Sequence, residues 1–532
     1  MAAATEESTR ARIAFHQRPG YKWAVVAVLW WMCFFNYADR QAIFSLFPLL
    51  EREMHLTPVQ LGWLGSSFAL VYGLLAPFAG NIGDRFRRKH VIIWGLYVWS
   101  IICLFTGFSR RFWHLLLFRG AEGLGETFYF PATTSLLSDY HGKRTRSRAL
   151  GIHNTGVYVG TIAGGFFAGL IGAHYGWRYS FYVFGGLGIV LGLALMWFVV
   201  EPRRGAAERA ELGAAGPRRQ DRQQSDSATP GGVEQEEPAG PAPGGPSPLM
   251  LVVAMMVYLG CLAAGAWVGL ELGRALGLTF EVGGIPLGIV LGALPGIAVG
   301  LVAAMYVGQG ARGLEFLRWV FGTPTVLVLM AVFMMANFVA LILLSWMPKF
   351  LYDKFGLNLA MAGLTATIFV QTATVVGAPL GGLFADLLRR RTAGGRMMVQ
   401  ALALLAGAPF VFMTGMTKAI PVLIVVLIGW GLLKGMYDAN IFASAFDVVP
   451  PHMRGTAAGF MNMAGWLGAF PAPVIIGIIA MRYNLSIAIA SASGIYVVAG
   501  VLMLIGVAAF AKRDAARMER VLLAANDSGR AS

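Results

Sequence analysis

Long apolar segments separated by short polar loops constrain the fold of this chain more than any other feature. Fourteen segments approach or reach the ~20 residues with which a helix crosses the hydrocarbon core of a bilayer. Only 13% of the residues are charged, about half of the share found in a soluble domain. The apolar segments are rich in Gly and Pro, which membrane helices tolerate better than soluble ones do. The sequence therefore predicts an all-α membrane protein.

The predicted spans fall into three groups along the chain. Six lie near residues 22–49, 57–82, 90–108, 112–138, 148–172 and 178–200. Two more lie near 248–270 and 284–308, and the last six near 323–351, 361–386, 396–416, 419–445, 453–481 and 485–511. A polar, Pro- and Gly-rich segment before the middle pair cannot form a core. We expect an N-terminal six-helix bundle (1–202), a disordered cytoplasmic linker (203–247), an inserted transmembrane helix pair (248–310) and a C-terminal six-helix bundle (311–532).

The distribution of basic residues predicts the topology. A net charge of +15 could suggest nucleic-acid binding, but the cations cluster in loops between spans, such as "RFRRK", "GKRTRSR" and "LRRR". Membrane proteins keep such loops on the cytoplasmic side. We therefore expect no nucleic-acid partner. We expect a multi-pass protein of the cell inner membrane or plasma membrane, with 14 transmembrane helices and both termini cytoplasmic.

Two sequence patterns occur once in each half of the chain. "GNIGDRFRRK" (80–89) corresponds to "GGLFADLLRRR" (381–391), and residues 138–160 correspond to residues 446–468 at one fixed offset. Duplicated halves of this kind are typical of secondary transporters. The matched positions in the second pattern are Asp139 with Asp447, Arg146 with Arg454, Gly151 with Gly459, Asn154 with Asn462 and Gly160 with Gly468.

The first of these patterns resembles the loop signature between the second and third helices of the major facilitator superfamily. The resemblance covers nearly all of residues 20–202 and 315–511. It implies two six-helix bundles that rock around a central cavity and expose it to each side of the membrane in turn. It also implies a gating role for the loop residues Gly80, Asp84, Arg85 and Arg88, and for Asp386 and Arg390 in the second half.

Two further motifs narrow the resemblance. "NYADR" (36–40) and "RGAEGLGE" (119–126) are similar to motifs of two branches of that superfamily. One is the spinster-like branch, which is linked to the export of lysolipids and sphingolipids. The other is the anion:cation symporter branch, which is linked to sugar acids and other organic anions. The motifs do not separate these branches.

Five charged residues lie inside the first and fourth predicted spans. Arg119, Glu122 and Glu126 share one helical face, within about 60° of each other. We expect them to point toward Asp39 and Arg40, because an unpaired charge in the membrane is unfavourable. Two arginines face three carboxylates, and a surplus carboxylate in a low-dielectric site takes up a proton. The pattern predicts proton coupling by Asp39, Glu126 and Glu122, and the alternative is a structural network that joins two helices.

The second half contributes a cation at a matching depth. Lys434 stands at the repeat position of Glu126, four residues before Asp438, with which it can pair. A cation in the cavity would attract an anionic substrate. We expect substrate binding by Arg40, Arg119, Lys434, Tyr37 and Asn440.

The sequence thus predicts a proton-coupled secondary active transporter of a small organic anion, a sugar acid or a related carboxylate. An exporter of lysolipid or another amphiphile, and a non-transporting membrane sensor, are the alternatives. No enzyme motif or phosphate-binding loop is found, and the three cysteines lack the spacing of metal ligands. We expect a monomer without metal or cofactor, whose partners are its substrate, protons and the lipid bilayer.

Overall fold

The computed structural model describes residues 20–142, 145–202, 207, 247–277, 280–282 and 284–530. Within these ranges the side chains at 80–85, 248, 311–312, 452, 522 and 524–530 are not described. The predicted linker therefore lies almost wholly outside the described residues. The side chains of Gly80, Asp84 and Arg85, three of the predicted gating residues, also lie outside them.

The first part of the chain forms eight helices, of which α2 continues the direction of α1 and α6 continues that of α5. We call the end of the bundle at which α1 begins the proximal end, and the opposite end the distal end. These helices, the N half, are α1 (Tyr21–Ser45), α2 (Phe47–Met54), α3 (Pro58–Arg85), α4 (Arg88–Thr106), α5 (Phe112–Thr127), α6 (Tyr129–Tyr140), α7 (Arg146–Tyr175) and α8 (Trp177–Phe198).

A helical hairpin follows. Helices α9 (Pro248–Ala275) and α10 (Leu287–Gln309) pack on each other along their length. Two short antiparallel strands, β1 (Glu281–Val282) and β2 (Ile285–Pro286), lie in the turn between them. Glycines permit the close approach: a Cβ atom at Gly292 would lie 2.1 Å from the carbonyl oxygen of Gly265. The short amphipathic helix α11 (Ala311–Phe321) leads into the rest of the chain.

The remaining helices form the C half. They are α12 (Pro324–Phe355), α13 (Leu359–Arg389), α14 (Gly395–Met416), α15 (Ile420–Asp438), α16 (Ile441–Phe446), α17 (Arg454–Ala469), α18 (Ala472–Arg482), α19 (Leu485–Ser491), α20 (Ser493–Gly506) and α21 (Lys512–Arg530). A 3₁₀ turn precedes α17, and a π-helical turn joins α20 to α21.

Twelve helical segments among the described residues are long and apolar enough to cross a membrane. Helix α1 and the α5–α6 pair are not among them. Helix α5 has only 16 residues before it breaks at Phe128, and α1 carries Lys22, Asp39 and Arg40. Charged and polar residues thus lower the apolar signal of the two segments that the sequence analysis singled out.

The two halves meet tightly at the distal end. A Cβ atom at Gly169 would lie 2.4 Å from the carbonyl oxygen of Leu359, and one at Gly477 would lie 2.5 Å from that of Pro58. The side chain of Lys349 pairs with Glu51 across the same seam. It is the only ion pair that joins the halves in the part of the chain that the structure describes. The structure is therefore closed at its distal end.

Candidate functional site

The helices α1, α4 and α5 bring the predicted charged residues together. Helix α7 packs against one side of α1, where Cβ atoms at Gly160 and Gly164 would collide with the backbone of Phe34 and Ala38. This contact turns the charged face of α1 toward α4 and α5. The five charged residues, Asp39, Arg40, Arg119, Glu122 and Glu126, are all at least nine-tenths buried. We call them the charge cluster.

Two ion pairs form within the charge cluster. The Nε atom of Arg40 pairs with a carboxylate oxygen of Glu126, and Nη1 of Arg119 pairs with one of Glu122. Arg119 also donates from Nη2 to the backbone carbonyl of Arg40 at 2.9 Å. Hydrogen bonds to charged groups are stronger than neutral ones, so Arg119 fixes α5 to α1. The expected convergence of the two helices is therefore present.

Asp39 is the carboxylate without an arginine partner. Its Oδ1 atom accepts a weak hydrogen bond from the Cys103 thiol at 3.0 Å. Its Oδ2 atom is buried and has no hydrogen-bond partner among the described residues. A buried carboxylate oxygen with no partner favours the protonated form of the group. Glu126 also has a buried oxygen, Oε1, without a hydrogen-bond partner among the described residues, but its other oxygen pairs with Arg40. Asp39 is therefore the carboxylate that lacks an arginine partner.

Asp39, Cys103 and Glu122 also present ligand-capable atoms within 4.8 Å of one another. Such a group could hold a metal ion in other surroundings. Here the guanidinium of Arg119 pairs with Glu122, and the thiol donates to Asp39. These groups are thus engaged with each other and with a cationic side chain.

Aromatic rings surround the guanidinium of Arg40. Its Cζ atom lies 4.7 Å from the ring centroid of Tyr37, 4.8 Å from that of Phe68 and 5.1 Å from that of Tyr72. The ring of Trp466, from the C half, lies at 5.7 Å. Rings at these distances attract a cation through their quadrupoles. We call these four rings the aromatic wall.

A cavity of about 300 Å³ lies between the halves, on the proximal side of the distal seam. Tyr37 and Trp466 contribute to its lining, but Arg40 and Arg119 do not. The two predicted substrate-binding arginines therefore lie behind the aromatic wall in this conformation. Most of the lining is apolar, and its polar members are Tyr37, Tyr158, Thr161, Asn337, Gln371, Lys434 and Asp438.

Lys434 and Asp438 lie on the cavity lining as an ion pair within α15. Asn440, in contrast, is buried and donates to the backbone carbonyls of Gly381 and Met436, both at 3.0 Å. It thus holds the break between α15 and α16 against α13. The structure places Lys434 and Tyr37 at the cavity, and Asn440 away from it.

An ionic network lies at the proximal end of the N half. Arg88 pairs with Asp139, which is one residue before the end of α6. The carboxylate of Glu201 accepts hydrogen bonds from the backbone N–H groups of Arg88 at 3.1 Å and Lys89 at 2.7 Å. Negative charge at a helix N-terminus is favourable, so Glu201 stabilises the start of α4.

The C half carries the counterpart of this network. Arg396 contacts both carboxylate oxygens of Asp447 at 2.9 Å and lies 3.9 Å from Asp386. The offset that relates Asp139 to Asp447 also relates Arg88 to Arg396. The loop motif suggested Arg390 instead, but that side chain is exposed. Arg396 was missed, although the second repeat alone could have identified it.

The polar junction before α7 has a buried histidine. The ring of His141 is fully buried, with Nε2 at 3.2 Å from the backbone oxygen of Lys22 and Nδ1 at 3.1 Å from the Thr145 hydroxyl. Burial lowers the pKa of His141 from its ordinary value. The neutral ring thus ties the beginning of α1 to the α6–α7 loop.

A comparison with protein families decides the class of this fold. The profile of the Major Facilitator Superfamily matches residues 29–473 and 329–525. The chain belongs to the Major Facilitator Superfamily. The resemblance seen in the sequence motifs is therefore confirmed, and the chain is an all-helical membrane transporter of this superfamily.

Relatives fall into the two groups that the motifs suggested. The chain is 35% identical to the human protein spinster homolog 1 over 197 residues, which cover 36% of this chain and 37% of that relative. It is 22% identical to the probable galactarate/D-glucarate transporter GudP of Escherichia coli (strain K12) over 481 residues, 88% of this chain and 90% of that one. The matches to spinster relatives thus span little more than a third of their length.

A solved structure shares the fold. The chain resembles the crystal structure of a bacterial homolog of the human lysosomal transporter spinster, in an inward-facing and unoccupied conformation. The TM-score is 0.63 at 19% identity, and the likeness covers 94% of this chain and 98% of that one. At this identity the likeness shows the fold alone.

Proposed function

We propose that this chain is a proton-coupled secondary active transporter of a small organic anion, working by alternating access. The observation that carries the proposal is the unpaired carboxylate of Asp39 in a buried cluster close to the central cavity. Its remaining oxygen has no partner among the described residues, so a proton can neutralise it. Because Glu126 and Glu122 each pair with an arginine, Asp39 is the carboxylate that is left without an arginine partner.

The membrane topology is part of the proposal. Adding α1 and the α5–α6 pair to the twelve apolar segments gives fourteen spans. We propose that α9 and α10 are an inserted pair between two six-helix bundles, and that residues 203–247 form a cytoplasmic linker. An even number of spans places both termini on the same side of the membrane, and the basic loops indicate that this side is the cytoplasm. The proximal end is then the cytoplasmic one.

The cavity lining supports the substrate class that we propose. Lys434 is the cation at the cavity, and it is partnered there by Asp438 alone among the described residues. An incoming carboxylate can compete with Asp438 for Lys434, because the pair is only partly buried. The relative matched over most of its length is a probable transporter of galactarate and D-glucarate. A sugar acid or related carboxylate is therefore our first candidate.

A second candidate has its own support. Twelve of the cavity's lining residues are apolar, among them Leu341, Leu344, Met347 and Trp430. An apolar surface of this kind favours a substrate with a hydrocarbon portion. A relative in Xenopus tropicalis, 29% identical over 177 residues, is a sphingosine-1-phosphate transporter. Export of an anionic amphiphile is the alternative, and a non-transporting sensor is the alternative of another class.

The ionic networks at the proximal end suggest how the states alternate. We propose that Asp84 and Arg85 at the end of α3 act together with the Arg88–Asp139 pair, and that the Asp386–Arg396–Asp447 group does the same in the C half. These contacts would hold each half in register and release when the proximal end changes shape. Lys349 and Glu51 close the distal end in the present state. The distal pair thus joins the two halves, whereas the proximal networks act within each half.

Substrate-driven proton uptake tests the proposal. The full chain would be reconstituted in liposomes that contain a pH-sensitive dye, and D-glucarate, galactarate and sphingosine-1-phosphate would be added outside in separate runs. A substrate anion that enters together with protons acidifies the lumen, whereas a sensor produces no change. If a compound binds, as judged by a thermal shift, but no compound moves protons, the proposal is wrong. The compound that acidifies the lumen decides between the two substrate classes.

A further inference from the structure

The inference concerns Trp466 and rests on the proposed proton coupling. Trp466 belongs to α17, in the C half, yet its ring packs on two rings of α3 in the N half. The ring centroids lie 4.9 Å from Tyr72 and 5.8 Å from Phe68. The helices approach closely here, since a Cβ atom at Gly73 would lie 3.1 Å from the Cβ of Trp466.

The ring has a different neighbour on each side. On one side it lines the central cavity, together with Tyr37. On the other side it lies over the guanidinium of Arg40, at 5.7 Å. Arg40 is 8% exposed, and its partner Glu126 is fully buried. The aromatic wall therefore separates the cavity from the charge cluster.

We propose that Trp466 is the movable part of this wall and controls when water and protons pass between the cavity and the charge cluster. Tyr37, Phe68 and Tyr72 are carried by α1 and α3 and move with the cluster. Trp466 is carried by the opposite half and leaves the wall when the halves separate. Apolar constrictions of this kind exclude water and the ions that travel with it.

The separation has a functional consequence. A transporter with a permanent water path from the cavity to its proton-binding carboxylate would let protons cross without substrate. The Trp466 ring prevents this in the distally closed state, because it covers the Arg40–Glu126 pair while the cavity stands beside it. Coupling then requires that the Trp466 ring leave the aromatic wall only while the transporter changes from one state to the other.

Proton leak without substrate tests the proposal. Proteoliposomes with the full chain would be given a pH step and a clamped membrane potential, and the lumenal pH would be followed. We expect Trp466→Ala to raise the passive proton flux by about one order of magnitude, because a covering ring and its cation–π contact are lost. Trp466→Phe keeps a ring and should stay near the wild-type flux.

The matched control is Trp177→Ala. Trp177 is fully buried and its ring also lies under an arginine guanidinium, that of Arg178 at 4.3 Å, but it is not among the residues that line the cavity. It should leave the flux unchanged. Equal leaks in the two alanine variants, or no leak in Trp466→Ala, would overturn the proposal. If Trp466→Ala does not fold, Trp466→Leu replaces it and should leak as well.

The two proposals fail in different ways. Proton uptake driven by substrate in the wild-type protein tests coupling itself, and its absence removes the proposed function. The leak is measured without substrate, so it judges the role of Trp466 whatever the substrate proves to be. If substrate drives proton uptake in the wild-type protein but Trp466→Ala shows no additional proton leak, only the present inference is contradicted.

Discussion

At the scale of single residues, Arg119 holds the charge cluster together. Its guanidinium makes two contacts in different directions, one to the Glu122 carboxylate and one to the backbone carbonyl of Arg40. A planar fork with several N–H donors can serve both partners at once, whereas a lysine ammonium on a flexible stem cannot hold the same geometry. The residue is 1% exposed, so water cannot take its place.

The first prediction concerns removal of this side chain. We expect Arg119→Ala to lower the free energy of unfolding by about 3–5 kcal/mol, because it leaves Glu122 buried without its partner. It should also abolish substrate-driven transport. Arg119→Lys keeps the charge and should recover part of the stability. Detergent-solubilised protein in a thermal unfolding assay measures the difference, and an unchanged midpoint for Arg119→Ala would refute the assignment.

Sequence reasoning reached these residues because charges in apolar segments are rare and must find partners. It could not assign the pairs. Three carboxylates and two arginines allow several pairings, and only the helix rotation set by Gly160 and Gly164 selects between them. Nor did the sequence indicate Cys103, a single thiol in an apolar run, as the hydrogen-bond donor to Asp39.

At the scale of helices, the distal seam sets the state of the molecule. Helices α12 and α2 meet there through Lys349 and Glu51, and the rings of Phe47 and Trp346 pack beside them at 5.6 Å. Lys349 has a second partner on its own helix, Asp353, at 2.7 Å. When the Lys349–Glu51 pair breaks, the Lys349 ammonium therefore keeps Asp353 as its partner.

The second prediction separates these two partners. Glu51→Gln removes the contact between the halves, and Asp353→Asn removes only the contact within α12. We expect Glu51→Gln to increase the labelling rate of a cysteine introduced at Ser45 by about two- to fivefold, in a background without native cysteines. Ser45 is buried in the seam. Asp353→Asn should leave the labelling rate near that of the parent protein. Equal labelling rates in all three proteins would contradict the role of the Lys349–Glu51 pair in closing the distal end.

The apolar pattern of the sequence did not predict all of the helix boundaries. The span predicted at 112–138 is two helices that break at Phe128, and the span predicted at 453–481 breaks at Phe470 and Pro471. Apolar content continues through both breaks, so the apolar pattern does not mark them, although Pro471 stands at the second one. The charges of α5 lie in the turns just before the break at Phe128, where the shorter helix still reaches α1.

At the scale of the whole molecule, the internal repeat is the feature that the sequence predicted best. One offset relates the Arg88–Asp139 pair to the Arg396–Asp447 pair, and it also relates Arg146 to Arg454, each of which donates to the backbone at the end of the preceding helix. The charge cluster breaks this symmetry. The C half has Lys434 at the repeat position of Glu126. The N half therefore keeps its charged residues behind the aromatic wall, whereas the C half presents a cation to the cavity.

The loop motif alone gave a different register for the second half. It aligned Arg88 with Arg390, because α13 extends further past the motif than α3 does and the turn before α14 is longer than the turn before α4. Contacts in the folded chain select Arg396. A local motif fixes the position of its loop, but the partner across the bundle depends on the lengths of the helices on both sides.

The most direct test of the account is the behaviour of Asp39→Asn in liposomes. The variant keeps the size of the side chain and removes the group that the account holds responsible for taking up the proton. We expect exchange of labelled substrate at equal concentrations to persist, while accumulation driven by a pH gradient is lost. Accumulation by Asp39→Asn at the wild-type level would contradict the central role of this carboxylate.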